Sequence, residues 1–504
     1  MSRIVRRPPR WLLLTLVLVA ITASYVYIVT AGTFTKWPTW NANYNLQAEG
    51  FRAGHTYLLV KPSPELLARP NPYDWSNVNL WFWDASLYKG HYYLYWGPLP
   101  ALALAGFKTV FRVKEEIGDQ YPLFAFYLMQ LIAGALFIER MARRLFPGLP
   151  FFLVLVAVVV FAYANPTPYM IATPGIYEAA IAGGQAFLLL GLLFAFNAVW
   201  RADSRPLPRG QLVAAGCCWA FAIACRASVG VAVFALCMAA LLAARRPGRA
   251  GWWQFVRSGC WLAGPVTIGV FGLLAYNKAR FDSWLEFGLK YQLNTLPLVT
   301  SLSFIPPNLF SYLLRPMAIA CRFPFLSAFN NIGVRGFPGW FTLPPGYTTP
   351  EPLIGLVTSA PWVGLLVVAP VTAGRAVVRR LRQGRRIAAD HQGRVRVWCA
   401  LSLLALGTLC VLPIIAHNGT TMRYLADMST GLVLLAIWCA FTLYQTVQSR
   451  PWLRRAAIAA FVALAAVTFV IGALLGFQGY DDMFGRHNPA LLARLTRALS
   501  YCVR

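Results

Sequence analysis

The sequence predicts an all-α polytopic membrane protein of about 11 transmembrane helices, with a long loop after the first. Three observations predict it. The 504-residue chain is 58% hydrophobic and 12% charged, whereas soluble domains carry about 25% charged residues. Apolar runs recur from end to end, each close to the ~20 residues that cross a bilayer. The net charge of +28 is concentrated in Arg-rich segments that alternate with acid-bearing ones, the pattern of cytoplasmic and outer loops in turn. That alternation excludes nucleic acid as the reason for the basic balance.

The first run, 11–31, follows RIVRRPPR. It is too long for a typical signal h-region and lacks a small-x-small site, so it reads as an uncleaved helix whose N-terminus is inside. Residues 32–120 form an outside loop with interfacial or re-entrant helices. Within it the apolar run 98–111 opens on Pro-Leu-Pro and closes on a charged stretch. It therefore begins and ends on one side, as partial entries packed on protein can.

Spans 2–7 follow within 121–277, at 121–138, 149–168, 176–199, 211–225, 227–244 and 258–277. A second long outside loop covers 278–352. Spans at 353–374, 397–416, 429–447 and 456–476 fill 353–476, and the tail 477–504 lies outside. The inside segments are the N-terminus, 139–148, 200–210, 245–257, 375–396 and 448–455. They hold 25 of the 45 Lys and Arg but 3 of the 17 acids. Loop 375–396 reads as an Arg-rich surface on anionic headgroups. The outside loops are expected to pack together over the bundle, where long loops are usually functional.

Of the ten Cys, most lie in apolar runs and none has CxxC spacing. They read as small buried hydrophobes. The five His form no HxxxH or HExxH pair, so a zinc site is not expected. No GxxxxGK[ST] and no strand-borne GxGxxG supports a nucleotide fold.

Polar groups in or just above a membrane are costly and point to function. Asp84 stands between NLWFW and ASLYKGHYYLYWGP. Partial desolvation among Trp and Tyr would raise its pKa and make it a better base; alternatively it N-caps a helix at ASLY. Glu178 lies at the outer end of a helix, where the dipole alone favours an acid. Arg423 and Asp427, just before a span, are four apart. They could pair on one helical face, or Arg423 could face a phosphate. Arg226 lies between two apolar runs, as an outer loop residue or as a buried anion ligand. Glu115, Glu116 and Asp119 read as one solvated charged turn.

The segments that resemble a family are YNLQAEGFRAG from Tyr44, PSPELL from Pro62, NPYD from Asn71, DASLYKGHYYLYWGPLPAL from Asp84, PGIYEAAIAGG from Pro174, YNKARFDSWLEFGLKYQL from Tyr276 and MRYLAD from Met422. In this order, over nearly the whole chain, they resemble bacterial polytopic membrane proteins grouped with the GT-C-type glycosyltransferases. The D-A-S-L-Y-x-G-x-Y-Y-L-Y-x-G-P block is the most specific part. The resemblance implies a polyprenyl-phosphate sugar donor, an envelope glycan or lipid acceptor, no nucleotide, and inverting transfer on the outer face of the plasma (inner) membrane. It also implies a catalytic acid in the first outside loop. Many such enzymes carry an acidic pair just after the first helix. Here that stretch has Asn41 and Asn43, and no acid before Glu49.

The catalytic candidates are therefore Asp84 and Glu49. Candidates for the donor phosphate are Arg423, Arg226, Lys278 and Arg280. Candidates for substrate binding are Glu178, Tyr177, Asp74, Lys89, His91, Tyr92, Tyr93, Tyr424 and Asp427. No cofactor is required; a divalent cation beside the phosphate is compatible with the chemistry, though no acidic cluster demands one. Rival readings are a flippase for lipid-linked sugars and a non-catalytic envelope-assembly protein.

Overall fold

The computed structural model describes residues 8–164, 166–202, 208–244, 249–294, 299–328, 336–347, 351–370, 391–479 and 482–502. Most of the Arg-rich loop 375–396, the end of the span expected at 353–374, and Asp203, Asp390 and Asp481 lie outside the described residues, as does most of RIVRRPPR.

Helix α1 (Arg10–Val29) leads into a loop built from α2 (Asn43–Arg52), α3 (Pro64–Leu67), a 3₁₀ turn at Trp75–Leu80, the hairpin β1 (Ser86–Tyr88) and β2 (His91–Tyr93), and α4 (Leu99–Phe111). Then come α5 (Gln120–Leu145), α6 (Phe151–Tyr163), α7 (Thr167–Ile171), α8 (Ile176–Trp200), α9 (Arg209–Cys225), α10 (Gly230–Ala244) and α11 (Arg249–Phe281). The second loop holds α12 (Ile305–Leu314) and the hairpin β3 (Met317–Ile319) and β4 (Leu326–Ala328). After α13 (Leu356–Ser359) and a 3₁₀ run at Pro361–Val367 come α14 (His391–Leu409), α15 (Met422–Val447), α16 (Pro451–Leu475), α17 (Met483–His487) and α18 (Pro489–Leu499).

Among the described residues seven helices are long and apolar enough to cross a membrane: α1, α5, α8, α10 with its leading turn, α11, α15 and α16. The protein is thus mostly helical with several membrane-length helices. Helices α8 and α15 form its centre, with 83% and 89% of their most apolar stretches buried. They can be apolar all round because protein surrounds them. Small residues let α14 and α15 touch backbone to backbone: a Cβ on Gly431 would lie 2.1 Å from the Gly407 nitrogen.

Boundaries differ from the expected spans where proline or capping decides. The span expected at 149–168 stops at Tyr163 and restarts as α7, because Pro166 and Pro168 supply no N–H to a continuing ladder. The one expected from 353 is broken before Pro361, where α13 gives way to the 3₁₀ run. The one expected from 429 begins at Met422, where the Thr421 hydroxyl caps the Tyr424 N–H.

The loops are sewn together at one end of the bundle. Asp84 N–H donates to the Leu293 carbonyl and Leu293 N–H to that of Ala85, at 3.2 and 2.8 Å. Asn308 donates to the carbonyls of Ile415 and His417. A disulfide joins Cys321 to Cys502, 181 residues apart, and Asn488 donates to the Ala31 carbonyl. The expectation that the cysteines are core hydrophobes holds for six of the eight free ones, which are buried. It fails for Cys321 and Cys502, which lie in loop and tail, outside any apolar run.

Candidate functional site

The block around Asp84 folds as a hairpin, against the helix that would have made Asp84 an N-cap. Ser86, Leu87 and Tyr88 pair with Tyr93, Tyr92 and His91. Lys89 and Gly90 turn the chain with φ of +47° and +77°, as two-residue hairpin turns require. The Tyr-rich sequence suits strands. Beyond it, Gly97 packs so close to the end of α9 that a Cβ would sit 2.0 Å from the Ala224 carbonyl oxygen. This contact delivers Trp96 and Tyr95 to the start of α8.

Asp84 itself is left-handed, at φ +61°. Its carboxylate accepts a hydrogen bond from the Tyr177 hydroxyl at 2.7 Å and one from Gln292 Nε2 at 3.4 Å. Burial pushes its pKa up, against the opposing pull of the Tyr177 hydroxyl, Arg423 and Gln292. Tyr177 is held edge-on by Trp96, ring centroids 4.6 Å apart. The Arg423 guanidinium lies over the Tyr177 ring at 4.0 Å. Arg423 also pairs with Glu351 and, at 3.7 Å, with Glu178.

The structure thus brings Asp84, Tyr177, Glu178 and Arg423 together, from the first loop and the first turns of α8 and α15. Arg423 and Asp427 do not pair with each other. Asp427 is fully buried and pairs with Arg226 at 2.6 Å. Arg226 lies in the connection between α9 and α10, as the loop reading has it, but is not at the surface: its side chain is 11% exposed, with its guanidinium over the Tyr424 ring at 5.6 Å. Pairing across helices wins because each of these buried charges needs its own counter-charge.

Other candidates are engaged elsewhere. Glu49 pairs with Lys108 at 2.5 Å and Arg52 at 3.0 Å. Burial pushes its pKa up, but the two cations outweigh that and hold it below the usual range. Arg280 is buried and donates to the Leu94 carbonyl and to Asn277, clamping α11 to the hairpin. Lys278 is exposed and donates to the Asp282 carbonyl. Lys89 pairs with Asp282 at the surface, and His91 stacks on Tyr57 with centroids 4.1 Å apart. Tyr92 and Tyr93, consecutive residues of β2, are both buried. Asp74 caps the 3₁₀ turn through Ser76.

Asp119 is not solvated, as its charged neighbours suggested, but fully buried. Its carboxylate accepts the N–H groups of Asn43 and Tyr44, both at 3.1 Å, so it caps α2 from the threshold of α5. Sequence reasoning also passed over Glu351 and Gln292. Neither carries a local signal, since each reaches the site only through the folding of the second loop. Among the described residues no group of three or more His, Cys, Asp or Glu is gathered to hold a metal ion.

No family model matches the chain, and no curated protein matches it. Among solved structures it is similar to the oligosaccharyltransferase of Archaeoglobus fulgidus. With the form tethered to an acceptor peptide containing the NVT sequon, the TM-score is 0.46 at 10% identity, over 92% of this chain and 55% of that one. With the form in complex with an inhibitory peptide and a dolichol-phosphate, it is 0.45 at 11% identity, over 92% and 56%. The chain spans about half the length of the structures it matches.

Proposed function

We propose that this protein is an integral membrane glycosyltransferase that moves a sugar from a polyprenyl-phosphate donor to an envelope glycan or lipid on the outer face of a bacterial plasma membrane. One observation carries the reading: a half-buried carboxylate and a guanidinium are held on one tyrosine, Asp84 on its hydroxyl and Arg423 on its ring. An acceptor hydroxyl gives its proton to Asp84 as its oxygen bonds to the anomeric carbon. The bond from that carbon to the phosphate oxygen breaks, and the electron pair leaves with the phosphate. Arg423 stabilises the growing charge. A single displacement with one base inverts the anomeric centre. The orientation is supported by the Arg distribution and by the disulfide, which belongs to an oxidising compartment.

The test is release of free polyprenyl phosphate from a panel of polyprenyl-phosphate sugars, by protein purified into lipid. Release by wild type and its loss in a folded Asp84→Asn variant are expected. Near-normal turnover by that variant would remove Asp84 from the mechanism.

A flippase reading is favoured by one observation. Below the Arg226–Asp427 pair, Gln185 donates to the Asp427 carbonyl and Gln130 to Thr430, so polar groups continue into the bundle. Donor movement across vesicles without release of polyprenyl phosphate would select it.

A further inference from the structure

Trp75, Trp81 and Trp83 meet edge to face just before Asp84. Their centroids are 6.1, 5.9 and 6.3 Å apart, and their planes cross at 74° to 84°. Trp81 is the fixed member, buried and donating its indole N–H to the Pro72 carbonyl at 2.8 Å. The other two are open, Trp75 57% exposed and Trp83 48%. Two indole faces therefore form the walls of a right-angled corner backed by a third ring. Grouped exposed aromatic surface marks an interaction site.

We propose that this corner binds a neutral saccharide, the acceptor of the transfer; the acceptor role rests on the transferase reading above. A pyranose ring offers an apolar C–H face to an indole and hydroxyls at its edge. Asn71, Asp74, Ser76 and Asn79, in the same stretch of chain, are exposed and suit those hydroxyls. Continuity with the site supports the acceptor role. Trp83 and Asp84 are adjacent, with Cα atoms about 3.8 Å apart. The left-handed turn at Asp84 sends its carboxylate inward to Tyr177 while Trp83 stays outside.

The charge around the corner disfavours a lipid surface as the occupant. Aromatic anchors in membrane interfaces are accompanied by Lys and Arg. Here Arg69 is paired with Glu65 at 2.6 Å. Asp74 is exposed, and hydrogen bonds from Ser76 hold its carboxyl below the usual range. From Glu65 to Trp83 the charged residues are Glu65, Arg69 and Asp74, so an anionic headgroup layer would meet a net charge of −1 along this stretch.

The experiment uses the full chain in nanodiscs and calorimetric titration with three probes: maltohexaose, cellohexaose and α-1,6-mannohexaose. Wild type and Asp84→Asn should both bind at least one of them. Trp75→Ala/Trp83→Ala, with unchanged melting, should bind it at least tenfold more weakly, and Trp75→Tyr/Trp83→Tyr should recover part of the loss. Absence of binding by wild type, or equal binding by the double alanine variant, overturns the proposal. So does quenching of wild-type fluorescence by brominated phosphatidylcholine that disappears in that variant, since the indoles then lie in lipid. Polyprenyl phosphate release is read separately. Donor cleavage without saccharide binding overturns this inference alone; saccharide binding without donor cleavage overturns the transferase reading and keeps the saccharide site.

Discussion

The Tyr177 hydroxyl donates to Asp84 at 2.7 Å while the face of its ring carries the Arg423 guanidinium at 4.0 Å. One side chain therefore touches both groups, tempering the basicity of the carboxylate and helping to position the cation. Burial raises the Asp84 pKa and the Tyr177 hydrogen bond opposes that rise. In the proposed mechanism the ionised form is the base, so activity should fall as pH drops through the raised value. Tyr177→Phe keeps the ring under Arg423 but removes the opposing bond. The acid limb of the kcat/KM profile should then move to higher pH, with melting little changed. An unmoved limb would show that another group sets it.

Arg423→Lys tests the other side of the ring. Lysine keeps the positive charge between Glu178 and Glu351 but loses the planar fork and the stacking. Folded protein with polyprenyl phosphate release lowered on the order of 10²-fold is expected. Arg423→Ala should instead lose stability by about 3–5 kcal/mol, because it removes a largely buried cation that faces two carboxylates.

The Arg226–Asp427 pair makes a prediction about non-additivity. Arg226→Met or Asp427→Leu alone strands a buried charge and should cost about 3–5 kcal/mol. The double variant should melt closer to wild type than either single one, as buried pairs replaced by apolar residues commonly do. If the two losses simply add, the residues are not acting as a pair.

Asp119 ties pH to stability. Burial pushes its pKa up to about 8, against two backbone N–H groups and with nearby Glu178 adding to the rise. The folded value lies above the unfolded one of about 3.9. Its contribution to stability is therefore full below that lower value and is lost as pH rises through about 8. Asp119→Asn should flatten the decline of melting temperature over this window. An identical decline in the variant would assign it to other groups.

Thiol counting tests the disulfide. The sequence holds ten cysteines, of which the structure leaves eight free. Denatured, non-reduced protein should take up eight maleimides, and reduced protein ten. Cys321→Ser/Cys502→Ser should melt lower, since a closed loop of this length is worth about 5 kcal/mol in chain-entropy terms.

The helical class is legible, as are seven membrane-length helices among the described residues, because an apolar run of ~20 residues is a strong local signal. Span ends are less so. Arg423 and Asp427 depress the apolar signal at the start of α15, and only Thr421 marks the true beginning. The Asp84 block stands out because polar residues in apolar surroundings are conspicuous. Its partners do not: Gln292 and Glu351 reach it across 208 residues and, through Arg423, from a loop 72 residues upstream. Charge partners are the least legible of all. The i,i+4 spacing of Arg423 and Asp427 suggests a pair, yet each carries a counter-charge from another element.

The left-handed backbone at Asp84 determines how natural variation at this position can be read. Glycine, asparagine and aspartate tolerate φ near +61°, while most other residues are strained there. Neutral drift in a lineage would therefore run toward Asn or Gly before it reached Ala or Glu. A relative with Asn or Gly at this position would keep the hairpin and lack the carboxylate, and under the proposed mechanism it would be an inactive homologue with its scaffold intact. Aspartate in many relatives would be evidence of chemistry only to the extent that it outnumbers the two residues the backbone accepts equally well.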